Sequence, residues 1–218
     1  MLKLKEKNHR INSSISKQKL KYKAVIFDLG GVYYKNGVLT SFPILSKKYG
    51  LPQNYLLDIF NKKYVKYLEV GKLSEKDFWQ KFQKDIGSEM KVKEIKNYIF
   101  KFFKPQPGMK NLLKKIRKKV KAGLLTNNLH EWYSYTERKG NLKSDFDAIV
   151  VSADVKIRKP NRKIYKLMAD KLGVKTKECI FFDDLIENIQ GARKANMKGI
   201  QFKSTEDVKN RLVKLGIL

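Results

Sequence analysis

Four short stretches of the chain carry residues that could do chemistry together. Ala24-Val25-Ile26-Phe27-Asp28 runs four apolar residues into a carboxylate, and Gly30-Gly31 follow. Leu124-Leu125 runs into Thr126-Asn127-Asn128, and Cys179-Ile180-Phe181-Phe182 runs into Asp183-Asp184. Between them lies the basic run Lys156-Ile157-Arg158-Lys159-Pro160-Asn161. Glycines after Asp28 let the backbone approach a ligand closely, although an Asp that merely caps the next turn fits equally well. Thr126 and the amides after it can donate hydrogen bonds to a phosphoryl group; taken alone, the triplet reads as an ordinary helix N-cap. Lys159 falls just before a helix start, with Pro160 as the first-turn proline. An ammonium there opposes the helix dipole, which makes sense if it faces carboxylates and phosphate rather than a solvated basic loop. Asp183-Asp184 is poor in a strand and unfavourable to bury. A hard divalent cation offsets that penalty, and Mg²⁺ suits few carboxylates plus a phosphate; the alternative is a double cap for the helix beginning near Glu187.

The elements that must position these groups alternate. Strands are predicted near 23–28, 120–125, 147–152, 178–183 and 199–203. Helices are predicted near 109–119, 129–139, 161–172, 187–197 and 205–215. Short, continuously apolar strands separated by helices predict an α/β architecture, a Rossmann-like three-layer parallel sheet with right-handed crossovers. Ligands of such sheets bind at the carboxyl ends of the strands, where Asp28, Thr126 and Asp183 fall. Between Tyr34 and Lys104 the pattern turns helical, with helices near 40–49, 53–67, 75–86 and 91–103. Tyr55, Leu56, Ile59, Phe60, Tyr64 and Tyr67 recur at spacings of three and four, and Ser74-Glu75-Lys76-Asp77 is an N-terminal capping pattern. Trp79, Phe82, Phe102 and Phe103 read as the core of this block. The predicted organisation is a basic flexible tail over 1–21, an α/β core over 22–36 and 104–218, and an inserted four-helix cap over 37–103. Hinges are predicted near Lys35-Asn36-Gly37 and Pro105–Gly108.

The chain has 218 residues, enough for a sizeable core. No run approaches a membrane span, and the N-terminus lacks the apolar core of a secretory signal. The single cysteine, Cys179, leaves no intramolecular disulfide and suits a reducing, cytoplasmic setting; inside a strand it reads as a small core residue. The formal net charge is +28. Mostly lysine and spread over every segment, it reads first as a solvated surface, for instance Lys110, Lys114, Lys115, Lys118 and Lys119. Such a field also draws phosphorylated small molecules inward and holds polyanions non-specifically.

Taken in order, FDLGGV at 27–32, the strand ending in Thr126-Asn127, RKP-x-x-x-IY from Arg158 and FFDD-x-x-x-N from Phe181 resemble the haloacid dehalogenase-like hydrolase superfamily. The helical block after strand 1, including Glu69–Trp79, is similar to its helical-cap subfamily of sugar-phosphate phosphatases and epoxide hydrolase phosphatase domains. The resemblance covers about residues 22–218. It implies an Mg²⁺-dependent phosphatase of small phosphorylated metabolites. Asp28 would be the nucleophile, forming an aspartyl-phosphate. Asp28, the Gly30 carbonyl, Asp184 and Asp183 would hold the metal. Thr126, Asn127 and Lys159 would hold the transferring oxygens, Lys159 would also orient the carboxylates, and Asn188 would support the Asp-Asp loop. The sequence departs from the pattern at Gly30, where most such phosphatases carry a second Asp as general acid–base. Tyr33, Tyr34 or a cap residue would then supply the proton, or the substrate would need little protonation, or turnover would be slow or lost. The other readings are a polyanion-binding protein and a haloacid dehalogenase.

Overall fold

The computed structural model describes residues 20–61, 64–87 and 90–218, so nearly all of the predicted basic tail lies outside the described residues. Five strands, β1 (Ala24–Phe27), β2 (Lys121–Thr126), β3 (Ala148–Val151), β4 (Cys179–Asp183) and β5 (Lys198–Gln201), form one parallel sheet in the order β3-β2-β1-β4-β5. The chain leaves the central strand β1 toward β2 and β3 on one side and returns to β4 and β5 on the other. The carboxyl end of β1 is therefore the switch point at which open α/β sheets bind ligands. Register sharpens this. Phe27 lies opposite Leu124 and Phe182, so Asp28 and Asp183 leave the sheet side by side.

Period-two alternation divides the apolar residues between the sheet's two faces. Val25, Phe27, Leu124, Ile180 and Phe182 belong to one buried cluster; Ala24, Ile26, Leu125, Cys179 and Phe181 belong to another. Cys179 is fully buried, and burial pushes its thiol up to about 12, as befits a core residue.

The inserted segment contains α1 (Gly37–Tyr49), α2 (Gln53–Asn61), α3 (Tyr64–Leu68), α4 (Glu75–Ile86) and α5 (Val92–Phe102). Asn36 caps α1 through Oδ1 to Leu39 N, and Ser74 caps α4 through Oγ to Asp77 N, both at 3.1 Å. The second predicted helix is two segments, α2 and α3, on either side of positions 62–63. Its apolar spacing overstated what is buried: Leu56, Ile59 and Phe60 are inside, whereas Tyr55 and Tyr67 are exposed. Phe60 sits edge-on to Phe42, Phe78 and Phe82 at 5.4, 5.4 and 6.0 Å. Each such pair adds about 0.5–1.5 kcal/mol beyond the area it buries. Phe103 lies just past α5 and packs on Tyr34 at 5.3 Å, within the sheet's cluster rather than the inserted one.

The remaining helices are α6 (Met109–Arg117), α7 (His130–Gly140), α8 (Leu142–Asp145), α9 (Ser152–Val155), α10 (Arg162–Lys171), α11 (Ile186–Lys194) and α12 (Thr205–Lys214). Met109, Leu112 and Ile116 of α6 and Val208 and Leu212 of α12 cover one face of the sheet. Ile164 and Met168 of α10 and Ile189 and Ala192 of α11 cover the other. The single turns α8 and α9 are too short for periodicity to reveal. The two chain crossings between sheet and inserted helices pair with each other, Lys35 N donating to Lys104 O at 2.8 Å and Gln106 N to Tyr33 O at 2.9 Å.

Candidate active site

Lys159 is the hub of the sheet's carboxyl edge. It is 1% exposed, yet its ammonium is saturated. Nζ donates to Asp28 Oδ1 and Asp183 Oδ2, both at 2.6 Å, and to Leu125 O at 3.0 Å. Three donors meet three acceptors, which is how a buried lysine stays tolerable. Burial alone would lower its pKa; the carboxylates of Asp183 and Asp28 outweigh burial and hold it above the ordinary lysine range. The backbone is fixed as firmly. Asn127 clasps it, Nδ2 donating to Lys159 O at 3.1 Å and Oδ1 accepting from Lys159 N at 2.9 Å. Pro160 is not the first-turn proline: Asn161 caps α10, its Oδ1 accepting from Lys163 N at 3.0 Å.

The adjacent aspartates do different work. Asp183 is fully buried and its oxygens are taken, Oδ1 by Leu185 N at 2.9 Å and Oδ2 by Lys159. Asn188 Nδ2 reaches both, at 3.0 and 3.1 Å. Asp183 therefore ties down the loop before α11 through Leu185 N and anchors Lys159; the double helix cap is not formed, since Leu185 is the N-cap of α11 and no side chain caps it. Asp184 lines the cavity instead, its carboxylate lying against Gly31. Gly31 has φ +94, and a Cβ there would collide with Asp184 Oδ2. Burial, reinforced by Asp183, pushes Asp184 up to about 6. Burial likewise pushes Asp28 up to about 7 against the pull of Lys159, with Asp183 and Asp184 adding to the rise. Three carboxylates thus share one ammonium, a deficit of positive charge at this edge.

These residues fit a hard cation. The donor set is all oxygen: Asp28, Gly30 and Asp184 all line the cavity. Gly31 keeps clear the space the Asp184 carboxylate occupies, and the nearby Asn188 Oδ1 is a buried acceptor without a partner among the described residues. Among those residues no three His, Cys, Asp or Glu side chains converge as a closed cage. Two carboxylates completed by water and phosphate is the way Mg²⁺ is commonly held.

The cavity above this edge has a volume of about 320 Å³. Asp28, Thr126, Asn127, Lys159, Asp184 and Asn188 line its charged side; Phe60, Leu68, Phe100 and Trp132 line it too, and the Phe103 ring lies against Gly30. Two clasps close the inserted helices over it. Arg158 Nε donates to Glu69 Oε2 at 2.6 Å, while Ser152 Oγ donates to Glu69 O at 2.5 Å. Glu75 Oε1 accepts from Trp132 Nε1 at 2.7 Å and Trp79 Nε1 at 3.2 Å and pairs with Lys96 at 2.6 Å.

Sequence reasoning did not single out Arg158 or Trp132 as lining residues. The arginine was one cation among many, and a lone aromatic in a helix signals core before site. The idea that Tyr33 or Tyr34 replaces an acid at position 30 does not hold. Tyr33 donates to Asp145 at 2.9 Å, and burial, that bond and the Asp145 charge hold its phenol far above its ordinary range. Both tyrosines line a separate cavity with Lys104, Lys110 and Lys139.

Comparison with known proteins bears on the fold and the family. The chain is 26% identical over 217 residues to bifunctional epoxide hydrolase 2 of Sus scrofa, covering 88% of this chain and 38% of that protein, so it spans well under half of that relative. It is 26% identical to the phosphorylated carbohydrates phosphatase of Thermotoga maritima, covering 81% and 83% of the two chains. Among solved structures, a HAD family enzyme from Bacteroides thetaiotaomicron, in complex with magnesium and inorganic phosphate, superposes with TM-score 0.69 at 21% identity over 87% of this chain and 98% of that one. The L-2-haloacid dehalogenase of Xanthobacter autotrophicus superposes with TM-score 0.63 at 20% identity, over 90% and 84%. The family model for haloacid dehalogenase-like hydrolases matches residues 25–202, most of the chain, and so the protein belongs to that family.

Proposed function

We propose that the protein is an Mg²⁺-dependent phosphatase of small phosphorylated metabolites, with Asp28 as nucleophile. The observation that carries this reading is the buried Lys159 bridging Asp28 and Asp183 at 2.6 Å each, beside the cavity that Asp28 lines. Lys159 holds Asp28 Oδ1, while Oδ2 accepts no hydrogen bond among the described residues and is the atom left to attack. Its bond to phosphorus forms as the bond to the leaving oxygen breaks, giving an aspartyl-phosphate. Water then attacks that phosphorus and Asp28 is regenerated, two easier steps replacing one hard one.

Asp28, Asp184 and the Gly30 carbonyl would hold Mg²⁺, with Asp183 acting through position because its oxygens are already bonded. When bound, the ion neutralises phosphoryl charge as a Lewis acid. Thr126, buried and lining the cavity, and the main-chain amide of Asn127 serve the transferring oxygens. The Asn127 carboxamide is occupied in orienting Lys159. With all three of its protons used, Lys159 acts chiefly by aiming Asp28 and supplying positive charge nearby.

Phosphatase relatives such as the Thermotoga enzyme support this reading over dehalogenation, as does a neighbour of the same fold holding magnesium and phosphate. The test is phosphate release from a panel of phosphomonoesters with Mg²⁺ and with EDTA, alongside chloride release from 2-haloacids. Release that needs Mg²⁺ and falls by about 10⁴-fold or more in Asp28→Asn is expected. Undiminished release in that variant, or metal-independent chloride release alone, would sink the proposal.

A further inference from the structure

Past its charged end the cavity presents few unengaged side-chain acceptors to a hydroxyl-rich substrate among the described residues. Asn36 Oδ1 is taken by Leu39 N at 3.1 Å and Asn128 Oδ1 by Leu129 N at 3.0 Å, and Glu69 and Arg158 hold each other at 2.6 Å. Asn61 is exposed. Beside these groups stands an aromatic wall. Phe100 stands edge-on to Trp132 with ring centres 5.8 Å apart, and Phe60 lies 6.3 Å from the same indole, whose N–H is turned away to Glu75. A polyhydroxylated group would shed water there without replacing its hydrogen bonds, whereas a flat apolar ring exchanges water for aromatic contact.

Among the described residues the carboxyl groups lining the cavity are Asp28, Asp184 and Glu69, and the last is paired with Arg158, so no unpaired acid stands ready for the leaving oxygen. Gly30 has no side chain, and its Cα faces Phe103, whose Cε2 would sit 3.4 Å from a Cβ at that position. Tyr33 is bonded to Asp145 on the far side of the loop, and the Glu69 carboxylate is tied to a guanidinium. Protonating a leaving group is typically worth about 10²–10⁴-fold. A site without that help selects for an oxygen that departs readily as an anion. A phenol, with pKa about 10, does so far better than an alcohol, whose pKa approaches the ~15.7 of water.

Resting on the phosphatase reading, we infer that the substrates are aryl phosphates: monoesters whose leaving group is a flat, apolar phenolate. Asp28 Oδ2 bonds to phosphorus and the P–O(aryl) bond breaks. The electron pair leaves on the phenolate oxygen, which takes its proton from water after departure. The aromatic wall and the missing acid favour the same leaving group.

The experiment compares kcat/KM for phenyl phosphate and benzyl phosphate, two ring-bearing esters that differ mainly in leaving-group acidity, with Mg²⁺ present. Phenyl phosphate should be favoured by about 10²-fold or more. Gly30→Asp should narrow the gap by raising the benzyl rate, and Glu69→Gln should shift both esters by a similar factor. Benzyl phosphate within about tenfold of phenyl phosphate would overturn the inference while leaving the phosphatase reading intact, because leaving-group protonation levels such differences. So would a Glu69→Gln variant that loses only the benzyl reaction, since Glu69 would then be the acid. Release from neither ester, in protein that hydrolyses another phosphomonoester with Mg²⁺, overturns the inference alone; release from no phosphomonoester overturns the phosphatase reading with it. If Gly30→Asp does not fold, the wild-type ratio and the Glu69→Gln profile still decide.

Discussion

The two ends of the cavity hold their polar atoms in opposite ways. At the sheet edge the polar groups are buried and bonded to one another: Lys159 alone joins Asp28, Asp183 and the Leu125 carbonyl within 3.0 Å. On the side of the inserted helices the rings face the cavity, and polar atoms serve as clasps behind them, as when Trp132 and Trp79 both donate to Glu75. A buried charged network has one satisfactory arrangement and fails if any member is lost. An aromatic wall fixed by peripheral clasps can loosen and close again, which suits a surface that must admit a substrate and then exclude water.

That contrast can be broken most severely at Lys159. Lys159→Met leaves Asp28 and Asp183 buried without their cation, and should cost about 3–5 kcal/mol in urea unfolding as well as activity. A small loss, under 1 kcal/mol, would mean that the network is not a unit.

Next in size is a pH effect confined to the charged end. Asp28 and Asp184 lie at about 7 and about 6 when folded, against 3.8 as free side chains. The folded state therefore binds more protons than the unfolded chain between those values, so stability falls as pH rises from about 4 to about 7. Melting of metal-free protein at a series of pH values should show this fall, and Mg²⁺ should reduce it by favouring the ionised carboxylates. A flat profile in the absence of metal would argue against the crowded carboxylates.

Adjacent glycines separate the two ends on a finer scale. Gly31→Ala should destabilise by about 1–3 kcal/mol, since φ is +94 and the new Cβ meets Asp184, and it should raise the Mg²⁺ concentration needed for activity. Gly30→Ala meets only the Phe103 ring at 3.4 Å and should leave Mg²⁺ dependence unchanged. Mg²⁺ titration of both variants checks the difference. Smallest is Glu75→Ala, which leaves two indole N–H groups without their acceptor. It should lower stability by about 1–2 kcal/mol and raise KM more than it lowers kcat. An equal loss in kcat would place Glu75 nearer the chemistry.

Much of the charged end was legible in the residues themselves. Asp28, Thr126 and Asp183-Asp184 each follow an apolar run, and a short buried strand necessarily delivers its next residue to the sheet edge. The alternation of strands and helices likewise determined a parallel three-layer sheet, and the inserted helices were visible wherever apolar spacing ran beyond two turns. Helical spacing reports amphipathicity without saying which apolar residue lies at the centre of the stripe. Hence Tyr55 and Tyr67, on pattern, and exposed in the fold.

Other decisions belonged to the tertiary structure, because they depend on partners far away in the chain. That Asp183 anchors Lys159 while Asp184 faces the cavity turns on a backbone bend and on Gly31, more than 150 residues earlier. That Asn127 clasps a lysine backbone, and that Tyr33 turns to Asp145, follows from contacts between separate strand-end loops. Trp132, a residue of the sheet-covering half, packs against the inserted helices' apolar cluster and lines the cavity beside Phe100 and Phe60. Local sequence determines which residues reach the edge of a sheet; only packing between distant segments decides which of them face the ligand and which hold the others in place.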